Sequence, residues 1–297
     1  FTTDNGTAGS GYNAGVRGRK GSEYDGGHRV PFFIRWPEGG FSGGRDVDEL
    51  TAHVDIFPTL LEMTGVEPSR ERPFDGRSLV PLLDEEGTWS ERTLFVHSQR
   101  IEHPEKWRSS AVMTDRWRLI NGEELYDMAV DPAQANDVSG DHPAVLRRLR
   151  DSYDDWWNEL SRHFDEYTRI VLGTEQEVPS RLTAHDWHNP DSEVPWNQRQ
   201  IREDPRLNGF WAVEVAASGT YEVELRQRPR GVEYAIDGST ARLRIGDTDV
   251  SKAVPAGASA VTFDVSLEAG PARLQTWFVE GDDPLRGAYY AYLRRME

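Results

Sequence analysis

The hydrophobic period of this chain changes near residue 166, and that change limits what the chain can fold into more than any other feature. Beyond it, Tyr221, Val223 and Leu225 alternate with Glu222, Glu224 and Arg226, and Val261, Phe263, Val265 and Leu267 alternate with Thr262, Asp264 and Ser266. A period of two sets one face of a strand on a core and the other in water. Similar runs occur at 210–215, 241–250, 272–279 and 288–295. At least six strands with short polar turns and no helical window predict an antiparallel β-sandwich or jelly roll over residues 166–297. Within it, 166–200 shows no usable period and reads as a linker plus a strand at the seam between two domains.

Before the change, the signals are those of an α/β unit. Residues 30–36 (Val-Pro-Phe-Phe-Ile-Arg-Trp) read as a short buried strand closed by Pro37 and Gly39-Gly40. Asp55 then reads as a helix N-cap, with Pro58 in the first turn, Leu60, Leu61 and Met63 on the helix and Gly65 as its stop. Strand, loop and helix in that order predict the last unit of an α/β sheet. Short strands are expected around 94–97, 111–114 and 117–120. A long helix from Pro143 follows, with Val145, Leu146, Leu149, Tyr153, Trp156, Trp157 and Leu160 at three- and four-residue spacing. That spacing assigns the Trp156-Trp157 pair to core packing and not to a ligand platform. The expected fold class is therefore α/β with a small antiparallel subdomain over 1–165, followed by an all-β sandwich over 166–297. A length of 297 residues suits two domains, and ten Trp, ten Tyr and eleven Phe supply cores despite 29% charged residues.

Composition then removes several function classes. The chain has 34 Lys and Arg against 51 Asp and Glu, a net charge of −17, which argues against nucleic acid as a partner because phosphate binding needs a basic footprint. With no Cys there is no disulfide, thiolate zinc site, iron–sulfur cluster or thiol nucleophile, and the compartment stays open. No apolar run approaches the roughly 18 residues of a membrane span, and the first residues do not read as a signal peptide. Residues 1–45 differ from the rest: they hold six basic against four acidic residues and 12 of the 27 glycines. A positive island on an acidic chain suits a small anionic group. Glycine at that density marks either backbone approached closely by other groups or a mobile loop.

Three motifs in this island can carry chemistry. Asp4-Asn5-Gly6 is a tight-turn signature, and it also offers two hard oxygens of the kind Ca²⁺ or Mg²⁺ prefers. In Gly18-Arg19-Lys20-Gly21-Ser22, Lys20 is either a solvated loop lysine or a compact positive charge reaching into a pocket. In Tyr24-Asp25-Gly26-Gly27-His28-Arg29-Val30-Pro31 the paired glycines allow a sharp turn, and Asp25 is placed to pair with Arg29.

In their order and spacing these residues resemble the sulfatase family, within the alkaline-phosphatase-like superfamily of metal-dependent ester hydrolases. Val54-Asp55-Ile56-Phe57-Pro58-Thr59-Leu60-Leu61, Asp75-Gly76-Arg77-Ser78-Leu79, Glu124-Leu125-Tyr126-Asp127-Met128 and Asp131-Pro132 extend the likeness over about residues 1–165. The resemblance implies that Asp4 and Asn5 are oxygen ligands of one divalent metal, Ca²⁺, and that Lys20 contacts the sulfate and stabilises charge on the ester oxygens. His28 stands where members vary, as a substrate contact or a surface or supporting histidine; Asp25 replaces the more usual Glu, and Asp55 is structural. The implied substrate is a sulfated small molecule or carbohydrate, and the implied location periplasmic or extracellular.

The family's nucleophile is a formylglycine made from Cys or Ser in a Cys/Ser-x-Pro-x-Arg context, preceded by two more metal-binding aspartates. Val66-Glu67-Pro68-Ser69-Arg70 and Glu177-Val178-Pro179-Ser180-Arg181 imitate that context but put Val66 and Glu177 at the nucleophile position. The expectation is therefore the C-terminal portion of a sulfatase, inactive alone, with the missing N-terminal half as its partner. Two alternatives stand beside it: a phosphodiesterase or phosphonate hydrolase of the same superfamily, and a non-catalytic structural or carbohydrate-contacting fragment. The sandwich, through Pro195-Trp196-Asn197-Gln198, Asn208-Gly209-Phe210-Trp211 and Arg286-Gly287-Ala288-Tyr289-Tyr290, resembles an extra module behind some bacterial arylsulfatase-like chains and contributes no catalytic residue.

Overall fold

A computed structural model describes residues 1–68, 73–84, 88–99 and 101–296. The chain divides into two compact units, Phe1–Arg100 with Pro104–Arg162, and His163–Glu297 with Ile101–His103. No helix among the described residues is long and apolar enough to cross a membrane.

The first unit begins with helices and turns: α1 (Asp25–His28), α2 (Ile56–Thr64) and α3 (Val80–Leu83), with 3₁₀ turns at Pro37–Gly39 and His53–Asp55. The strand expected at 30–36 is not one. Thr2 and Phe32 form an isolated bridge, as do Trp36 and Phe41, while Phe32 and Phe33 are exposed. An apolar run becomes a strand only where a neighbour pairs along it, and here the pairing stops after Phe33, whose amide and carbonyl bond the Phe1 carbonyl (2.8 Å) and nitrogen (2.7 Å). The expected α/β strand–helix unit is accordingly reduced, among the described residues, to this bridge and α2, which ends at Gly65 as the sequence predicts.

Asp55 precedes α2 but is not its side-chain cap. Its fully buried carboxylate accepts from the Ala52 amide (2.7 Å), the Arg77 amide (2.8 Å) and the Arg92 guanidinium (2.8 Å). It joins three separated stretches of chain, a structural role of a different kind from the one expected.

The rest of this unit is an antiparallel meander packed on one helix. Strands β1 (Leu94–His97), β2 (Ser110–Met113), β3 (Trp117–Ile120) and β4 (Glu124–Asp127) lie in the order β1-β2-β3-β4. The first three match the sequence reading; β4 was visible only as a family landmark. Helix α4 (Pro143–Leu160) buries Leu149 and Tyr153 against Val112, Trp117, Leu119 and Leu125, and Trp156 stacks on Phe95 at 4.7 Å. The aromatic stripe is core, as its spacing implies.

The second unit is two sheets on one core. Its strands are β5 (Ile170–Leu172), β6 (Ser180–Thr183), β7 (Phe210–Val215), β8 (Gly219–Arg226), β9 (Thr240–Ile245), β10 (Thr248–Ala253), β11 (Val261–Leu267), β12 (Gly270–Glu280), β13 (Asp283–Arg286) and β14 (Tyr290–Arg295). A six-stranded sheet runs β10-β9-β12-β7-β5 with β13 on β12, and a four-stranded sheet runs β11-β8-β14-β6. Trp211, Leu243, Leu274 and Phe278 from the first meet Tyr221, Val223, Phe263 and Leu293 from the second. Two details differ from the alternation pattern. The run at 241–250 is a hairpin, β9 and β10, turned by Gly246-Asp247. The stretch 166–200 supplies two strands, of which β5 pairs parallel to β7 and β6 pairs antiparallel to β14. It also holds the beginning of α5 (Gln198–Arg202), where Asn197 and Gln200 form a reciprocal capping box.

Candidate functional site

Within residues 1–29 several backbone segments pack directly on one another at glycines. The Gly6 amide donates to the Gly27 carbonyl (2.9 Å), the Gly26 amide to the Arg17 carbonyl (2.8 Å), and the Lys20 amide to the Thr7 carbonyl (2.9 Å). A Cβ on Gly6 would lie 1.9 Å from the Gly26 carbonyl oxygen, and one on Gly26 would lie 2.3 Å from that of Gly18. Both contacts are with backbone, which cannot swing aside. Close approach therefore explains these glycines, while Gly9 and Gly43, with open space around them, need no such reason.

This cluster is fastened to the meander by side-chain pairings that the sequence did not predict. Asp25 pairs with Arg118 of β3 (Oδ1 to Nε, 3.0 Å), both nearly removed from solvent, and the Asp25 amide donates to Gln134 Oε1 (2.8 Å). The expected partner, Arg29, is exposed; only its amide meets the Asp25 carbonyl, at 2.7 Å, as an i+4 bond of α1. The Glu124 carboxylate accepts the hydroxyls of Tyr24 (2.7 Å) and Tyr126 (2.6 Å), and the Arg17 guanidinium lies 3.8 Å over the Tyr24 ring and bonds the Tyr126 hydroxyl (2.8 Å). Burial, followed by the hydrogen bond to Glu124, raises both phenols, Tyr126 to about 12, so each stays a proton donor at neutral pH. Ser98 Oγ donates to the Gly21 carbonyl (2.8 Å), and Asn121 Nδ2 to Glu23 Oε1 (2.9 Å).

On this scaffold Asp4 and Asn5 follow directly after the Thr2 bridge, and His53 Nε2 holds the carbonyl of Thr3 (2.8 Å). Lys20 stands on a neighbouring turn, its amide on the carbonyl of Thr7, two residues beyond the bend that carries Asp4 and Asn5. Among the described residues the side chains of Asp4, Asn5 and Lys20 make no hydrogen bond or ion pair, and Asp4 and Lys20 are exposed. His28 is half-buried, with Nε2 on the Glu23 carbonyl (3.1 Å), which leaves Nδ1 as the acceptor nitrogen; burial lowers its pKa.

As metal donors, adjacent Asp and Asn oxygens fit Ca²⁺ in kind but fall short of the six to eight ligands it takes. Among the described residues no group of three or more His, Cys, Asp and Glu side chains converges on a metal position. Of the two nucleophile lookalikes, Ser69 and Arg70 of the first lie outside the described residues, and Ser180 of the second is buried in β6.

Residues 19–163 match the family described as N-sulphoglucosamine sulphohydrolase, C-terminal. Over 223 residues the chain is 40% identical to a steryl-sulfatase of Rattus norvegicus, covering 68% of this chain and 37% of that protein. It is 35% identical over 146 residues to arylsulfatase D of Homo sapiens, covering 46% of this chain and 24% of the relative. It is 30% identical over 123 residues to an N-acetylglucosamine-6-O-sulfatase of Bacteroides thetaiotaomicron, covering 38% and 21%. The chain thus spans 37% or less of the length of each of these relatives.

Proposed function

Residues 19–163 are the C-terminal portion of a sulfatase, and from that premise we propose that the chain supplies one side of a site that hydrolyses sulfate monoesters. One observation supports this most: the glycine-packed cluster joins the Asp4-Asn5 segment to the Lys20 loop through backbone bonds while leaving those three side chains uncommitted. Uncommitted polar groups on a rigid support are what a binding site needs before its ligand arrives.

In this reading the nucleophile would be a formylglycine on a segment outside this sequence, and this chain's residues would bind and orient the sulfate for it. Asp4 and Asn5 would offer two oxygen ligands to a Ca²⁺ ion, which needs more donors than this chain's pair provides. When bound, such an ion would supply Lewis-acid stabilisation of charge on the sulfate oxygens. Lys20 places a compact positive charge against the sulfate and the ester oxygen, so that the charge appearing as the sulfur–oxygen bond breaks is met by a donor already in position. His28, with Nε2 occupied by the Glu23 carbonyl, turns an acceptor nitrogen toward a substrate hydroxyl. The products are an alcohol or phenol and sulfate. The substrate is a sulfated small molecule or a sulfated carbohydrate, the two chemistries that the names of the relatives carry.

Initial rates on matched aryl sulfate and aryl phosphate esters, measured with the full-length protein, test this proposal. A preference for sulfate is expected. A strong preference for phosphate would replace it with the phosphodiesterase reading of the same superfamily.

A further inference from the structure

The outer face of the six-stranded sheet carries a chemistry that the core does not require. Along β12, Leu274, Thr276 and Phe278 are buried, so Arg273, Gln275 and Trp277 alternate onto the opposite face. Arg242 and Arg244 of β9 stand in register with Trp277 and Gln275, and Phe210 of β7 stands in register with Gln275 on its other side. The guanidinium carbons of Arg242 and Arg244 lie 5.0 and 5.2 Å from the Trp277 ring centre, and that of Arg273 lies 4.5 Å from the Phe210 ring. Over Phe210, Gln275 and Trp277 the segments 188–192 and 206–209 enclose a groove of about 350 Å³. Its rim is preset: Asn189 Oδ1 accepts from the amides of Asp191 (2.8 Å) and Ser192 (3.0 Å), while its Nδ2 donates to the Asn208 carbonyl (2.6 Å).

The charges on this face are unevenly committed. Arg242 is paired with Asp249, and Arg206 with Asp283 at 3.7 Å. Arg244 donates to the Gln275 amide oxygen (2.9 Å) and stands in register with Asp249, whose carboxylate is held ionised first by the hydrogen bonds from Arg242 and further by the Arg244 charge; Arg273 makes no hydrogen bond or ion pair among the described residues. Both are exposed, in a chain whose net charge is −17. Three arginines, Arg242, Arg244 and Arg273, thus share one neighbouring carboxylate, Asp249, which hydrogen-bonds Arg242, and the guanidinium donors of Arg244 and Arg273 not used by Gln275 leave planar, multi-donor anion sites open. Beside them Trp277 is half-buried and offers an apolar body whose Nε1 bonds nothing among the described residues. Among the groove's lining residues Asp191 is the single carboxylate.

Anion donors, an indole and neutral amides together match one ligand class. We infer that this groove and the arginine face beside it bind an anionic oligosaccharide, with a sulfate or carboxylate on Arg244 and Arg273 and a sugar ring against Trp277. The site belongs to the second unit and rests on no hydrolytic step.

Calorimetric titration of the 297-residue chain tests it with four hexasaccharide probes: chondroitin sulfate, unsulfated chondroitin, carboxyl-reduced chondroitin sulfate and a neutral glycan. Binding of chondroitin sulfate is expected, with the neutral glycan at least tenfold weaker; the two intermediate probes tell whether sulfate or carboxylate is held. R244Q/R273Q and W277A should each weaken binding at least tenfold, whereas the charge-matched R199Q/R202Q should stay within twofold. Thermal unfolding confirms that each variant is folded, and the two surface arginine changes keep the test decisive if W277A is not. Failure of all three anionic probes to bind, equal binding of the neutral one, or equal affinity of R244Q/R273Q and the parent would overturn the inference.

Discussion

Arg118 and Asp25 hold the glycine cluster to the meander from a position almost without solvent, 8% and 1% exposed. Removing one partner of such a pair strands the other charge, at a cost of about 3–5 kcal/mol. Arg118→Met should therefore lower the unfolding free energy by an amount of that order, read as a lower urea midpoint at unchanged slope, while Arg29→Met, on an exposed side chain with no partner among the described residues, should leave it unchanged. Equal effects from the two would restore the Asp25–Arg29 pairing that proximity in sequence suggests. Two histidines set the pH response of the same unit. Burial lowers the pKa of His28, and also that of His97, whose Nε2 lies 2.7 Å from the Tyr153 hydroxyl. The folded state thus resists a proton that the unfolded chain accepts near pH 6.5. Their contribution is full above that pH and is lost as pH falls through the lowered folded values. Unfolding midpoints should drop between about pH 7 and pH 5, above the range in which carboxylates titrate, and His97→Gln should flatten that slope. A slope unchanged by the substitution would remove His97 from the account.

Helix α4 shows how an element turns pattern into stability. Leu149 is fully buried against the meander, and Leu149→Ala should cost about 2–5 kcal/mol by the cavity it leaves; a midpoint shift under about 0.5 kcal/mol would mean the helix is not packed there. This helix was legible because its spacing repeats over five turns' worth of sequence, and β8, β11 and β12 were legible because their alternation is equally regular. The misreadings have physical reasons. Alternation continues through both arms of a hairpin, so 241–250 read as one strand although Gly246-Asp247 is a two-residue turn signal. Strands β5 and β6 have three and four residues, and their partners, β7 and β14, lie far along the chain. Residues 30–36 had a strand's composition without a neighbour to pair along them. In the proposed site, Asp4, Asn5 and Lys20 could be named as candidates from motif order and the resemblance it carries. The supports could not: Tyr24 meets Glu124, and Arg17 meets Tyr126, across separations of 100 and 109 residues, and no local pattern encodes such contacts.

At the scale of the whole molecule, an acidic chain carries one positive, glycine-rich island in its first unit and an arginine and tryptophan face in its second. The first is read as one side of a sulfate-ester site completed by segments outside this chain, the second as a place for an anionic glycan. Lys20 is where the hydrolytic reading is most exposed to test. Its side chain is exposed and makes no bond among the described residues, so replacing it should leave folding intact, whereas losing a preorganised donor to transition-state charge costs about 10²–10³ in kcat. The deciding measurement is kcat for an aryl sulfate with the full-length protein carrying Lys20→Met, beside the parent and an Arg35→Met control. The account predicts a fall of at least a hundredfold for Lys20→Met, with an unchanged melting temperature and a control near the parent rate. Turnover by Lys20→Met within threefold of the parent would contradict it.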